Sequence, residues 1–240
     1  MKAIKRSRDV IYISGNLEEK SFCSSGIEFS EFMSSVVEPP ENLILLKHNF
    51  DNVRFNMHTR FEFVTQHEIE ELLNDNVYAY GDFCWVDFLN EEALNRLTDD
   101  EIAELLFFGH LARPLHTLPK HRFAYYAHDD GWFNKLYVSR LEDYKSILLN
   151  TLKAKVLAFT GILTTDLPAD ILKALMDSTE RGLLINFAKI LRSQAVLRLP
   201  LIEVGHFRDM DELFTASRSI QMYRNWLEYS NKTWRLIAEE

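Results

Sequence analysis

The chain has 240 residues, 47% of them hydrophobic and 26% charged, with a formal net charge of −9. Those proportions exclude a disordered chain, and eight glycines and six prolines exclude a collagen-like or linker-like one. No uncharged apolar stretch of about 18 residues occurs, so no membrane span is expected. The acidic balance argues against direct nucleic-acid binding, which needs a basic footprint.

The first residues carry a short basic cluster, Lys2, Lys5, Arg6 and Arg8. The apolar run after it, 10–13, stops at Ser14-Gly15-Asn16. A secretory signal needs an apolar run of about 7–15 residues, so none is expected. The two cysteines, Cys23 and Cys84, lie far apart and form no CxxC pair. Reduced thiols and a cytoplasmic location are the expectation.

Residues 1–139 read as a mixed α+β domain. Runs rich in aromatic and β-branched residues predict strands over 10–14, 43–48, 83–88, 123–128 and 133–138. The last two flank Asp129-Asp130-Gly131-Trp132, and Asp-Gly supplies the positive φ that a tight hairpin turn needs. Helices are predicted over 66–73 and 98–111. The second opens with the capping box Thr98-Asp99-Asp100-Glu101.

Residues 140–240 read as helical. Leu148, Leu152, Val156, Phe159 and Leu163 recur at helical spacing, and Pro168 suits a first helical turn. Leu183, Phe187, Ile190 and Leu191 predict another helix, ended at Leu199-Pro200. A long helix is predicted over 209–238, with Leu213, Ile220 and Leu227 on one stripe and Met222, Trp226, Tyr229 and Leu236 beside it. Such a broad apolar arc suits burial against a second subunit, so a homo-oligomer through the C-terminal helices is an expectation. The fold class expected is therefore α+β: an antiparallel or mixed sheet with helices in the N-terminal half, then an all-helical C-terminal half. The change of character near 139 divides the chain into 1–139 and a helical domain or subdomain, 140–240.

Charge is the feature that points to function. Residues 1–139 carry a net of −10 and 140–240 a net of +1. Between 62 and 104, thirteen acidic residues face one basic residue, Arg96. Like charges confined on a compact surface repel, and a single-sign field speeds and selects encounter with an oppositely charged partner. Tyrosines in the same window offer contact area at little entropic cost. The expected partner site is Glu68, Glu70, Glu71, Asp75, Tyr78, Tyr80, Asp82, Glu91, Glu92, Asp99 and Asp100. This predicts a non-enzymatic cytoplasmic protein that engages a basic protein surface, with an immunity or antitoxin-like inhibitor as its concrete form and no cofactor required.

The alternative is a hydrolase. His110, His116, His121 and His128 crowd into 19 residues and precede Asp129 and Asp130, side chains suited to proton transfer or metal binding. Their spacings match no common metal motif. Cys84 lies inside an apolar strand, where a thiol is inert. Cys23 is better placed for exposure but has no base beside it in the sequence. GxGxxG, Walker and GxSxG patterns are missing from the chain.

Overall fold

The computed structural model describes residues 9–36, 38, 40–50, 57–74, 83–88, 90–100, 122–128, 133–193, 195–207, 210–220, 223 and 225–238. Its frame is one sheet of twelve strands: β1 (Val10–Asn16), β2 (Ser21–Ser25), β3 (Asn42–Phe50), β4 (Met57–Thr65), β5 (Phe83–Phe88), β6 (Phe123–His128), β7 (Phe133–Val138), β8 (Leu183–Asn186), β9 (Leu191–Arg192), β10 (Val196–Glu203), β11 (Asn225–Ser230) and β12 (Thr233–Ala238). The order is β12-β11-β10-β8-β1-β2-β7-β6-β5-β3-β4, with β9 paired to β10. Every pairing among the described residues is antiparallel. Because β1 pairs with β8, one sheet joins residues from both sides of position 139.

The helices are α1 (Phe29–Ser35), α2 (Gln66–Asn74), α3 (Glu91–Leu94), α4 (Leu141–Thr160), α5 (Ala169–Thr179) and α6 (Met210–Ser219), with a 3₁₀ turn at Phe187–Lys189. Among the described residues, no helix is long and apolar enough to cross a membrane. Strand alternation sends residues i and i+2 to the same side of the sheet, so each side has its own cover. On one side α1, α2, α4 and α5 bury Ile11, Ile13, Phe22, Trp85, Tyr125, Leu136, Leu199 and Leu227 in the main core. Phe22 and Tyr144 stack there at a ring-centroid distance of 3.5 Å.

The other side is covered in two separate places. Leu213 of α6 closes over Tyr12 and Leu184. Ala93 and Leu97, from α3 and the residues after it, pack on Ile44, Cys84, Val86 and Phe88.

The five predicted strands and the 123–138 hairpin are present, with Phe123 opposite Val138 and His128 opposite Phe133. The helices predicted over 66–73 and after Pro168 are also present, as are the helical residues 148–160. The predicted helix over 98–111 lies mostly outside the described residues.

The all-helical C-terminal half is wrong. Beyond α5, the chain returns to the sheet as β8, β10, β11 and β12. Leu183, Phe187, Ile190 and Leu191 match helical spacing by coincidence; Leu183 and Ile185 instead share one sheet face, opposite Leu184 and Asn186. Pro200 sits within β10, opposite Trp226 of β11.

The helix predicted over 209–238 ends at Ser219. Its second part is a hairpin closed by Asn231 and Lys232, whose φ values of 51° and 59° make the tight turn that suits strand twist. Trp226 and Glu228 face one side of it, Leu227 and Tyr229 the other. No continuous apolar helical stripe exists there, so the proposed C-terminal helical oligomer interface is lost with the helix.

Candidate functional site

The described acidic residues of the predicted site lie on α2 and on and just after α3, which cover the β5-β3-β4 end of the sheet. β4 runs straight into α2, whose start is fixed by Glu68: its carboxylate accepts hydrogen bonds from the Thr65 N–H at 2.9 Å and the Thr65 hydroxyl at 2.7 Å. Those bonds, the hydroxyl's first, hold the Glu68 carboxyl below its ordinary pKa. Ile69 and Leu72 then turn into the main core, which leaves Glu70 and Glu71 exposed.

Past β5, Asn90 accepts from the Ala93 N–H at 2.8 Å and starts α3. With Ala93 and Leu97 turned to the sheet, Glu92, Asp99 and Asp100 are exposed, and Glu91 opens the helix. α2 belongs to one side of the sheet and α3 to the other. The described acids therefore flank the end of the sheet from both sides instead of lying on one flat face. Asp75, Tyr78, Tyr80 and Asp82 lie outside the described residues.

Asp87, from the same acidic window, has a different fate. It is 6% exposed, and one of its oxygens accepts from the N–H groups of Arg122, at 2.5 Å, and Phe123, at 2.7 Å. Burial pushes its pKa up to about 6, against the pull of those bonds and of the Arg122 charge. The Arg122 guanidinium bonds Asp143 at 3.0 Å and the Glu38 carbonyl at 2.8 Å, and Arg140 reaches Asp143 at 3.2 Å. This network pins the entry of β6 to β5 and α4.

Several of the described cations pair with carboxylates outside this region. Lys155 pairs with Glu31, Lys173 with Asp177, Arg181 with Glu203, Arg198 with Glu228, Lys145 with Glu142 and Lys153 with Asp166. In the acidic window, Arg96 pairs with Glu92. Among the described residues, Glu70, Glu71, Asp99 and Asp100 form no ion pair.

Of the alternative acid–base set, His110, His116, His121, Asp129 and Asp130 lie outside the described residues. His128 is the last residue of β6, and its backbone is paired with Phe133. Among the described residues, no group of three or more His, Cys, Asp or Glu side chains could hold a metal ion. Cys84 is fully buried, and burial pushes its thiol pKa well above the ordinary value, so it is unreactive.

A second constellation was not predicted. Ser14 of β1 stands opposite Cys23 of β2, and Cys23 opposite Lys135 of β7. These three make one row on the side of the sheet carrying Tyr12 and Cys84, between its two apolar patches. The Ser14 hydroxyl lies 2.5 Å from His206 Nδ1. The loop that brings His206 there is tightly held. Tyr12 donates its hydroxyl to the Gly205 carbonyl at 3.0 Å and accepts from the Phe207 N–H at 3.2 Å. Gly182 and Gly205 both have positive φ, and a Cβ on Gly182 would fall 1.8 Å from the Gly205 carbonyl oxygen. Only glycine permits that approach. The signal for this row lies in strand register and in a contact 192 positions long, which no local pattern carries.

No protein-family model matches the chain, and no curated protein or solved structure matches it either.

Proposed function

We propose that this protein is a non-enzymatic cytoplasmic binding protein that receives a basic protein partner around the acidic β4 end of its sheet, in the manner of an immunity or antitoxin-like inhibitor. One observation supports this reading above others: Glu70, Glu71, Asp99 and Asp100 are exposed and have no ion pair among the described residues, where the ion pairs that do form join other carboxylates. At physiological salt the screening length is about 8 Å, so carboxylates adjacent on one helix reinforce each other's field. Such a field acts mainly on encounter and partner choice. It complements proteins that present basic clefts, as those that cut nucleic acid do.

The test is a fourfold reversal, Glu70→Lys, Glu71→Lys, Asp99→Lys and Asp100→Lys, with the tagged protein used to capture partners from its own cells. The wild type is expected to retain basic proteins that elute with salt, and the variant to lose them. Equal capture of the same proteins at the same salt would reject the acidic surface as the docking site.

A further inference from the structure

We propose that the row formed by Ser14 with His206, Cys23 and Lys135 binds a small oxyanion, the carboxylate or phosphate group of a low-molecular-weight ligand. The sheet geometry comes first. β1, β2 and β7 are neighbours, and register sets the three side chains side by side. With strands about 4.8 Å apart, Ser14 and Lys135 stand about 10 Å apart across the row, which gives a small ligand room to lie between them over Cys23.

The opposite faces of the same strands carry Ile11, Ile13, Phe22, Leu136 and Val138, all buried in the main core. On the row's own side the apolar surface is interrupted here. Tyr12, Leu184 and Leu213 lie to one side, and Ala124, Cys84 and Val86 to the other. Ser14, Cys23 and Lys135 are half-buried and His206 is exposed, so solvent reaches the row.

The chemistry of the row is that of a donor set. Lysine offers three N–H donors and no acceptor. The Lys135 ammonium lies 5.0 Å from the centre of the Tyr137 ring, and Lys135 has no ion-pair partner among the described residues. Glu19 is near enough for its field to act on Tyr137, but it does not pair with Lys135. Lys135 also interacts with the Tyr137 side chain, a neutral partner, so an incoming anion supplies the counter-charge that the ammonium lacks among the described residues. When the Ser14 hydroxyl donates to His206 Nδ1, the ring proton resides on Nε2, which adds a further donor. The Tyr12 and glycine contacts hold His206 in place before any ligand arrives, so little ordering is needed on binding. The thiol of Cys23 is held protonated by burial, against the pull of the Lys135 charge, and adds a weak donor instead of a second anion.

Cys23 also provides the readout. The other cysteine, Cys84, is fully buried, so alkylation of the folded protein by iodoacetamide reports on Cys23 alone. The probes are inorganic phosphate and succinate, each compared with potassium chloride at equal ionic strength. A site with a Kd of about 10 mM gives roughly threefold protection at ~20 mM ligand. Protection of that size by phosphate, by succinate or by both is the expected result, and which probe protects tells a phosphate ligand from a carboxylate one. Protection, taken as a ratio within each protein, should vanish in Lys135→Met and persist in Lys135→Arg. No protection of the wild type by either probe overturns the proposal, as does equal protection in Lys135→Met. Should Lys135→Met fail to fold by circular dichroism, Ser14→Ala replaces it: weakened protection supports the site, and unchanged protection overturns it.

Discussion

Asp87 and the pair Glu70–Glu71 come from one acidic stretch of sequence, yet the fold gives them opposite work. Asp87 lies on a strand bounded by the main core and is closed in by two backbone N–H groups and Arg122. Glu70 and Glu71 lie on the outer face of α2, where Ile69 and Leu72 have already taken the inward positions. The difference teaches that charge density along a chain sets a budget of carboxylates but not their roles. Position on the strand or helix decides which become structural and which stay exposed.

The largest effect is expected where a structural carboxylate is removed. Asp143→Ala removes the buried carboxylate that joins Arg122 and Arg140 and leaves both with only the exposed Glu38 to pair with, and should cost about 3 kcal/mol in urea unfolding. A loss much below 1 kcal/mol would erase the contrast between paired and unpaired acids.

Asp87 sharpens the comparison through pH. Its pKa is raised in the folded state to about 6, from an ordinary 3.8, so folding favours the protonated form. The stability that comes from this preference is complete below about pH 4 and is lost as pH rises through 6. The shift corresponds to about 2 to 3 kcal/mol. Unfolding measured from pH 4 to 7 should show that decline in the wild type, and Asp87→Asn, which cannot ionise, should flatten it. An unchanged slope in the variant would assign the pH dependence to another group.

The smallest effect on stability belongs to the free acids. The fourfold reversal at Glu70, Glu71, Asp99 and Asp100 should leave the unfolding free energy within about 0.5 kcal/mol of the wild type, since none of the four holds the structure together. A large loss would mean that these carboxylates are structural after all.

Much of the sheet's N-terminal part is legible in sequence. The strands at 83–88, 123–128 and 133–138 have the bounds that their aromatic and β-branched runs predict, because such runs have no alternative use between turn residues. The C-terminal strands are not legible for a physical reason. Leu183, Phe187, Ile190 and Leu191 satisfy a helical period, Leu183, Phe187 and Leu191 fit a period of two as well, and the long-range pairing of β8 with β1 and β10 decides for the strand at Leu183. The turn at Asn231-Lys232 is hidden likewise, since lysine does not announce a positive φ as glycine does.

For the site, sequence gives the acids but not their faces. That α2 and α3 lie on opposite sides of the sheet follows only from which residues pack inward. The Ser14–His206 contact and the Cys23–Lys135 register are products of topology, joining residues that no motif places together.

The central claim is that the free acids at the β4 end act on a basic partner through their field. It is tested most directly by the association rate of the captured partner, measured over a range of salt for the wild type and the fourfold reversal. The wild-type rate should fall steeply with salt, and at low salt the variant should associate at least about 10-fold more slowly, with a nearly flat salt response. Identical rates and identical salt slopes for the two proteins would contradict it.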